Sequence, residues 1–149
     1  MRRQARNKLG MLTLVCFGEL KPALYFVNMI LRTGVDLIEI ARIDEVVSRH
    51  GKHYLERIYT SAELELCGMR VESLAGRFAA KEAIAKTLGC GIGEVEWKEI
   101  EILGDEQNAP VLHLYGKAAQ KADELGLTNW SVSLSHSQSH AVAIAVAAG

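Results

Sequence analysis

Cysteine is scarce and unpatterned in this chain. Cys16, Cys67 and Cys90 make neither an even set nor a C-x-x-C pair, so neither a disulfide framework nor a zinc site is expected, and a reducing, cytoplasmic compartment fits best. Long apolar runs are missing too. The stretch from Met11 to Phe17 is soon closed by Glu19 and Lys21, and no clean small-x-small cleavage site follows. It is far short of the ~20 residues of a membrane span and is a poor secretory signal. There is no internal repeat, no low-complexity linker and no G-x-S-x-G nucleophile elbow. A cationic surplus is absent from most of the chain. Residues 1–32 carry six Lys or Arg against Glu19 alone, and of the chain's 17 basic and 18 acidic side chains this leaves eleven and seventeen for the rest. A domain that acidic is a poor candidate for nucleic-acid binding, which relies on Lys and Arg at the phosphates. Any acidic partner must meet a local basic patch.

What is present suits one compact domain: 149 residues, 49% of them hydrophobic. Residues 1–28 are expected to be an extension outside that domain, with Met29 a candidate true start, and residues 29–149 the domain itself.

Ile30 to Ile38 is expected as a buried strand, although Gly34 and Asp36 interrupt it. Ile40, Ile43 and Val47 recur at helical spacing, with Arg42, Val46 and Arg49 on a second face, until Gly51 ends the helix. Thr60-Ser61-Ala62-Glu63 has the form of a capping box opening a short helix through Leu66. Residues 73–88 form the most convincing helix, rich in Ala, with Gly89 placed as its left-handed cap. Val95 to Ile102 reads as one strand with a bulge near Lys98, and Val111–Tyr115 as the next. A helix follows over Lys117–Leu125, and a final hairpin over Trp130–Ser135 and Ala141–Ala147. The order predicts an α+β domain, a mainly antiparallel sheet with helices packed on one face.

Three places invite chemistry. Asp36 sits in an apolar run, where a carboxylate is costly unless paired, bonded or bound to a metal; a structural Asp capping the next helix is the plain alternative. Glu82 and Lys86 share a helix face, and Arg77 and Lys81 a neighbouring one. The plain reading of Glu82 and Lys86 is an exposed intrahelical salt bridge, but the surrounding alanines leave room for a ligand. His136 closes a strand, as a turn residue or as a donor to an anionic oxygen.

Three blocks carry a resemblance: Gly34-Val35-Asp36-Leu37-Ile38-Glu39-Ile40-Ala41-Arg42-Ile43, then Gly76 through Gly89 (Gly-Arg-Phe-Ala-Ala-Lys-Glu-Ala-Ile-Ala-Lys-Thr-Leu-Gly), then Ser133-Leu134-Ser135-His136. In this order and spacing the chain resembles the holo-acyl-carrier-protein synthases, the short bacterial class of phosphopantetheinyl transferases, over about residues 29–149. The resemblance implies transfer of 4′-phosphopantetheine from coenzyme A to a serine of apo-acyl carrier protein in fatty acid biosynthesis, with release of adenosine 3′,5′-bisphosphate. It implies Mg²⁺ held by Asp36 and Glu82, a catalytic set of Asp36, Glu82 and Lys86, and coenzyme A contacts from Arg77, Lys81, Lys86, Gly89 and His136. Arg42, Val46 and Arg49 would dock the carrier, and a homotrimer would place sites between subunits. Two positions depart from the family pattern: His140 stands where an aromatic is common, and Thr87 where Ala is usual. The competing activity is a metal-dependent nucleotide phosphohydrolase, and a non-catalytic carrier-binding module is a third reading.

Overall fold

The computed structural model describes residues 29–149; the expected extension over residues 1–28 lies outside the described residues. The elements are β1 (Leu31–Glu39), α1 (Ile40–Ile58), α2 (Ser61–Cys67), α3 (Val71–Thr87), a 3₁₀ turn over Trp97–Glu99, β2 (Ile100–Gly104), β3 (Pro110–Leu114), α4 (Gly116–Glu124), β4 (Asn129–His136) and β5 (His140–Ala148). Two antiparallel sheets result, one in the order β1-β5-β4 and one of β2 and β3. The architecture is α+β, as expected.

α3 is the centre of the molecule, and small side chains put it there. Ala75, Gly76, Ala79, Ala80, Ala83 and Ala85 are all buried in it, and Ala141, Ala143, Ala145 and Ala147 form the buried face of β5. Small residues on both surfaces let helix and sheet approach closely, while Leu74, Ile84 and Leu88 supply apolar bulk. Side chains of that size contribute about 1.5–3 kcal/mol each when fully buried. α3 ends in a Schellman motif: Gly89 N–H donates to Lys86 O, Cys90 N–H donates to Ala85 O, and Gly89 takes φ +72°. The capping box at α2 also forms, with Thr60 Oγ1 accepting from Glu63 N–H and Glu63 accepting from Thr60 N–H.

Three local expectations need correction. α1 does not end at Gly51. That residue takes φ 53°, ψ −134°, kinks the axis, and the helix resumes to Ile58, because a glycine without Cβ crosses this region without strain. The segment read as one bulged strand is a 3₁₀ turn followed by β2, the apparent phase slip at Lys98 being a change of structure. β1 is covered on one face only. Gly34 and Ile38 point into the core, whereas Val35 and Leu37 are 56% and 62% exposed. Directly across on β5 lie Ile144, itself exposed, and half-buried Val142, so this side of the sheet is apolar and open among the described residues.

Candidate active site

Gly34 brings the site together. A Cβ at this position would stand 2.0 Å from Ala83 O and 2.6 Å from Thr87 Oγ1, so only glycine lets β1 lie directly on α3. Two residues along the same strand face, Asp36 meets the side of α3 that carries Glu82 and Lys86. Lys86 Nζ donates to Asp36 Oδ1 at 2.8 Å and to Val35 O at 2.9 Å. Among the described residues the ion pair of Lys86 is this one, and none forms between Lys86 and Glu82, so the plain intrahelical salt bridge does not hold. Burial first, and the neighbouring Asp36 charge second, push the Glu82 carboxyl above its ordinary pKa, with Lys86 pulling the other way. The two carboxylates therefore feel each other across the junction, with one ammonium between them in charge terms.

Such a donor set fits a hard divalent cation. Among the described residues no group of three or more His, Cys, Asp or Glu is arranged to hold a metal, which argues against a dedicated all-protein cage. Two carboxylates with room for water and substrate oxygens are the arrangement Mg²⁺ tolerates.

Beside Glu82 opens a cleft of about 580 Å³, walled by Gly93, Val95 and Trp97 and bearing the cations Arg57 and Lys98 together with the carboxylate of Glu96. The Trp97 ring leans on Phe78 of α3 with centroids 4.8 Å apart. Arg57 and Trp97 were not singled out from sequence. Arg57 lies in the half of α1 beyond Gly51, where the sequence predicts no helix, and the alternation around Trp97 reads as a strand.

The family model of the 4′-phosphopantetheinyl transferase superfamily matches residues 32–145. The chain belongs to this superfamily. It is 52% identical over 124 residues to the holo-[acyl-carrier-protein] synthase of Herpetosiphon aurantiacus, covering 78% of this chain and 98% of that relative. The corresponding synthase of Natranaerobius thermophilus is 46% identical over 121 residues, with 79% and 97% covered. The crystal structure of Helicobacter pylori holo-[acyl-carrier-protein] synthase in complex with coenzyme A superposes with a TM-score of 0.71 at 36% identity, over 77% of this chain and 98% of that one.

Against this transferase fold the expected site residues divide. Asp36, Glu82 and Lys86 converge. Gly89 is exposed beside the Arg32 guanidinium, which donates to Thr87 O at 3.3 Å and braces the end of α3. Arg42 and Arg49 are exposed and Val46 half-buried along one side of α1, with Arg49 paired to Glu45 at 2.5 Å. His136 is exposed at the end of β4 and lines a different cleft, with Arg70 and Ser73. Arg77 is half-buried, donates to Ser73 O at 3.4 Å, and keeps its Nε buried with no partner among the described residues. Lys81 is the correction. Its side chain is fully buried in an ion pair with Glu63 at 2.8 Å, so it has no face to offer a pyrophosphate. Burial pushes the pKa of this ammonium down, with Glu63 opposing.

Proposed function

We propose that the chain transfers 4′-phosphopantetheine from coenzyme A to a serine of apo-acyl carrier protein, with Mg²⁺ bound by Asp36 and Glu82. The observation that supports this reading is the junction of β1 and α3, where the Lys86 ammonium bonds Asp36 and the Glu82 carboxyl, which feels the charge of both, faces a cleft bearing Arg57 and Lys98. A bound divalent ion would supply charge neutralisation at the pyrophosphate. Lys86 and Arg57 hold phosphate oxygens, Lys86 as a point charge and Arg57 as a planar fork. The serine oxygen forms a new bond to the phosphorus carrying pantetheine, and the bond to the departing 3′,5′-bisphosphate breaks on the opposite side. The serine proton passes to Glu82 or to water beside it. The nucleophile belongs to the carrier.

The open apolar side of β1 and β5, centred on Val35, Leu37 and Ile144, supports a homotrimer in which copies of this chain cover one another. In that assembly Arg77, Gly89 and His136 contribute coenzyme contacts, Arg77 and His136 toward coenzyme on the adjacent subunit. Cys67 and Cys90 are free and buried, in keeping with a cytoplasmic setting, and no helix among the described residues is long and apolar enough to cross a membrane. Fatty acid synthesis is the pathway we assign.

Intact-mass measurement on apo-carrier tests the activity. With coenzyme A and Mg²⁺ the carrier gains one phosphopantetheine increment, and bisphosphate appears only when carrier is present. Release of bisphosphate without carrier would favour the phosphohydrolase, and tight carrier binding without mass gain the non-catalytic module.

Arg42, Val46 and Arg49 receive the acidic carrier helix, two cations flanking an apolar contact on a molecule otherwise rich in acid. Arg42→Glu is expected to raise the carrier KM by roughly tenfold or more, since like charges at such a contact cost several kcal/mol, while coenzyme A affinity stays near the parent value. Equal loss of both in steady-state kinetics would remove α1 from the docking surface.

A further inference from the structure

Lys81 and Glu82 are neighbours in sequence and leave α3 in different directions, about 100° apart around its axis. The outward one enters the candidate active site. The inward one is tied into a polar cluster with no solvent exposure: Lys81 and Glu63 side chains are both 0% exposed. Lys81 Nζ donates to Trp97 O at 2.9 Å and also to Ile100 O. Glu63 accepts from Thr60 N–H at 2.9 Å and from Ile102 N–H at 3.0 Å. One ammonium thus fastens α3 to the segment Trp97–Ile100, and one carboxylate fastens the start of α2 to β2.

A buried ion pair is weak as a source of stability, because desolvating two charges offsets most of their attraction and an apolar pair of similar volume is often as good. What it does supply is a defined distance between the segments it joins. Here those segments are the helix bearing Glu82 and Lys86 and the backbone of Trp97, which with Lys98 forms the wall of the cleft beside Glu82. Trp97 is then held from two sides, its carbonyl by Lys81 and its ring by Phe78 one turn back on α3.

We propose that Lys81, paired with Glu63, is a positioning residue for the coenzyme: it sets the separation of the Trp97–Lys98 wall from Glu82, and through it the affinity for the nucleotide end of coenzyme A, without touching the ligand. This rests on the cleft beside Glu82 being the coenzyme site.

The test uses the full chain with Mg²⁺ in a Trp130→Phe background, which leaves Trp97 as the single tryptophan. In the parent of this background, adenosine 3′,5′-bisphosphate and coenzyme A change Trp97 emission on binding. Turnover with no change in emission means that the cleft is not the coenzyme site, and that reading falls first. With the emission response present, Lys81→Met combined with Glu63→Gln removes both charges and strands neither. The expected result is a rise of about tenfold in coenzyme A KM and in bisphosphate Kd, the scale of a modest misplacement of a binding wall, with kcat within about twofold and carrier KM unchanged. Lys81→Gln with Glu63→Gln, which retains a donor for the Trp97 carbonyl on a shorter side chain, leaves KM and Kd raised severalfold, between the parent and the Met variant. A folded Met variant with parental KM and Kd overturns the proposal. If the Met variant does not fold, the Gln variant decides: its shorter side chain draws the wall inward and raises KM severalfold, and a parental KM overturns. Failure of both to fold assigns the pair to stability alone, which overturns it as well.

Discussion

Glu82→Gln is expected to make the metal-free protein more stable and nearly inactive. The carboxyl of Glu82 is raised above its ordinary value of 4.5 by burial and by Asp36, so its charged form is disfavoured in the fold. The sign follows: above the raised folded pKa the charge costs stability, and that cost fades as pH falls through the folded pKa toward 4.5. The parent should therefore gain stability from this group on mild acidification, and the glutamine variant, which carries no such charge, should melt higher at neutral pH and lose that part of the pH dependence. Mg²⁺ should raise the melting temperature of the parent, since a ligand that binds only the folded state stabilises it, and should do little for the variant. Transfer should fall roughly a hundredfold or more, in line with several kcal/mol of lost charge stabilisation. Parental turnover, or a parental response to Mg²⁺ in differential scanning calorimetry, would remove Glu82 from the metal site.

The different settings of Glu82, at the cleft, and Lys81, in the interior, show where a sequence is readable and where it is not. The helix carrying both was legible because its signals are local: an alanine-rich run and a closing glycine, which takes φ +72° in a Schellman cap. The Thr60 capping box and the β4–β5 hairpin were legible for the same reason. The direction of Lys81 was not, because α3 is buried on most of its surface and so has no polar face on which to expect a lysine. Its partner Glu63 lies in another helix, and the carbonyls it binds follow in the next connection. A lysine one residue from a candidate ligand therefore reads as functional until its neighbours are known.

Gly51 hid a different part of the site. A glycine after an amphipathic run is a sound stop signal, yet here it changes the axis and the helix continues, which carries Arg57 to the cleft beside Glu82. The apolar run from Ile30 to Ile38 predicts that Val35 and Leu37 lie inside a buried strand. They are apolar as expected, but no surface among the described residues covers them, which a single sequence holds only as an unexplained excess of hydrophobic residues on one face.

Gly34→Ala should have a large effect on the fold for one added methyl group. The added Cβ would meet Ala83 O at 2.0 Å, Thr87 Oγ1 at 2.6 Å and Thr87 N at 2.9 Å. Two of these are backbone atoms of α3, which cannot turn aside as a flexible side chain would. Overpacking of a core costs about 1–3 kcal/mol and more where backbone must move, so in a domain of this size the melting temperature should drop by roughly 10 °C or more. The same separation would draw Asp36 away from Lys86 and Glu82, and half-saturation by Mg²⁺ should move to higher concentration in whatever fraction remains folded. Thr87→Ala discriminates the cause. It removes the hydroxyl, which donates to Ala83 O at 2.9 Å, but not the Ala83 carbonyl itself, so Gly34→Ala with Thr87→Ala should recover only a minor part of the lost stability. Full recovery would show that the side chain of Thr87, rather than the backbone of α3, sets the closeness of strand and helix. A parental melting temperature and Mg²⁺ response in Gly34→Ala would show that the junction does not depend on that closeness at all.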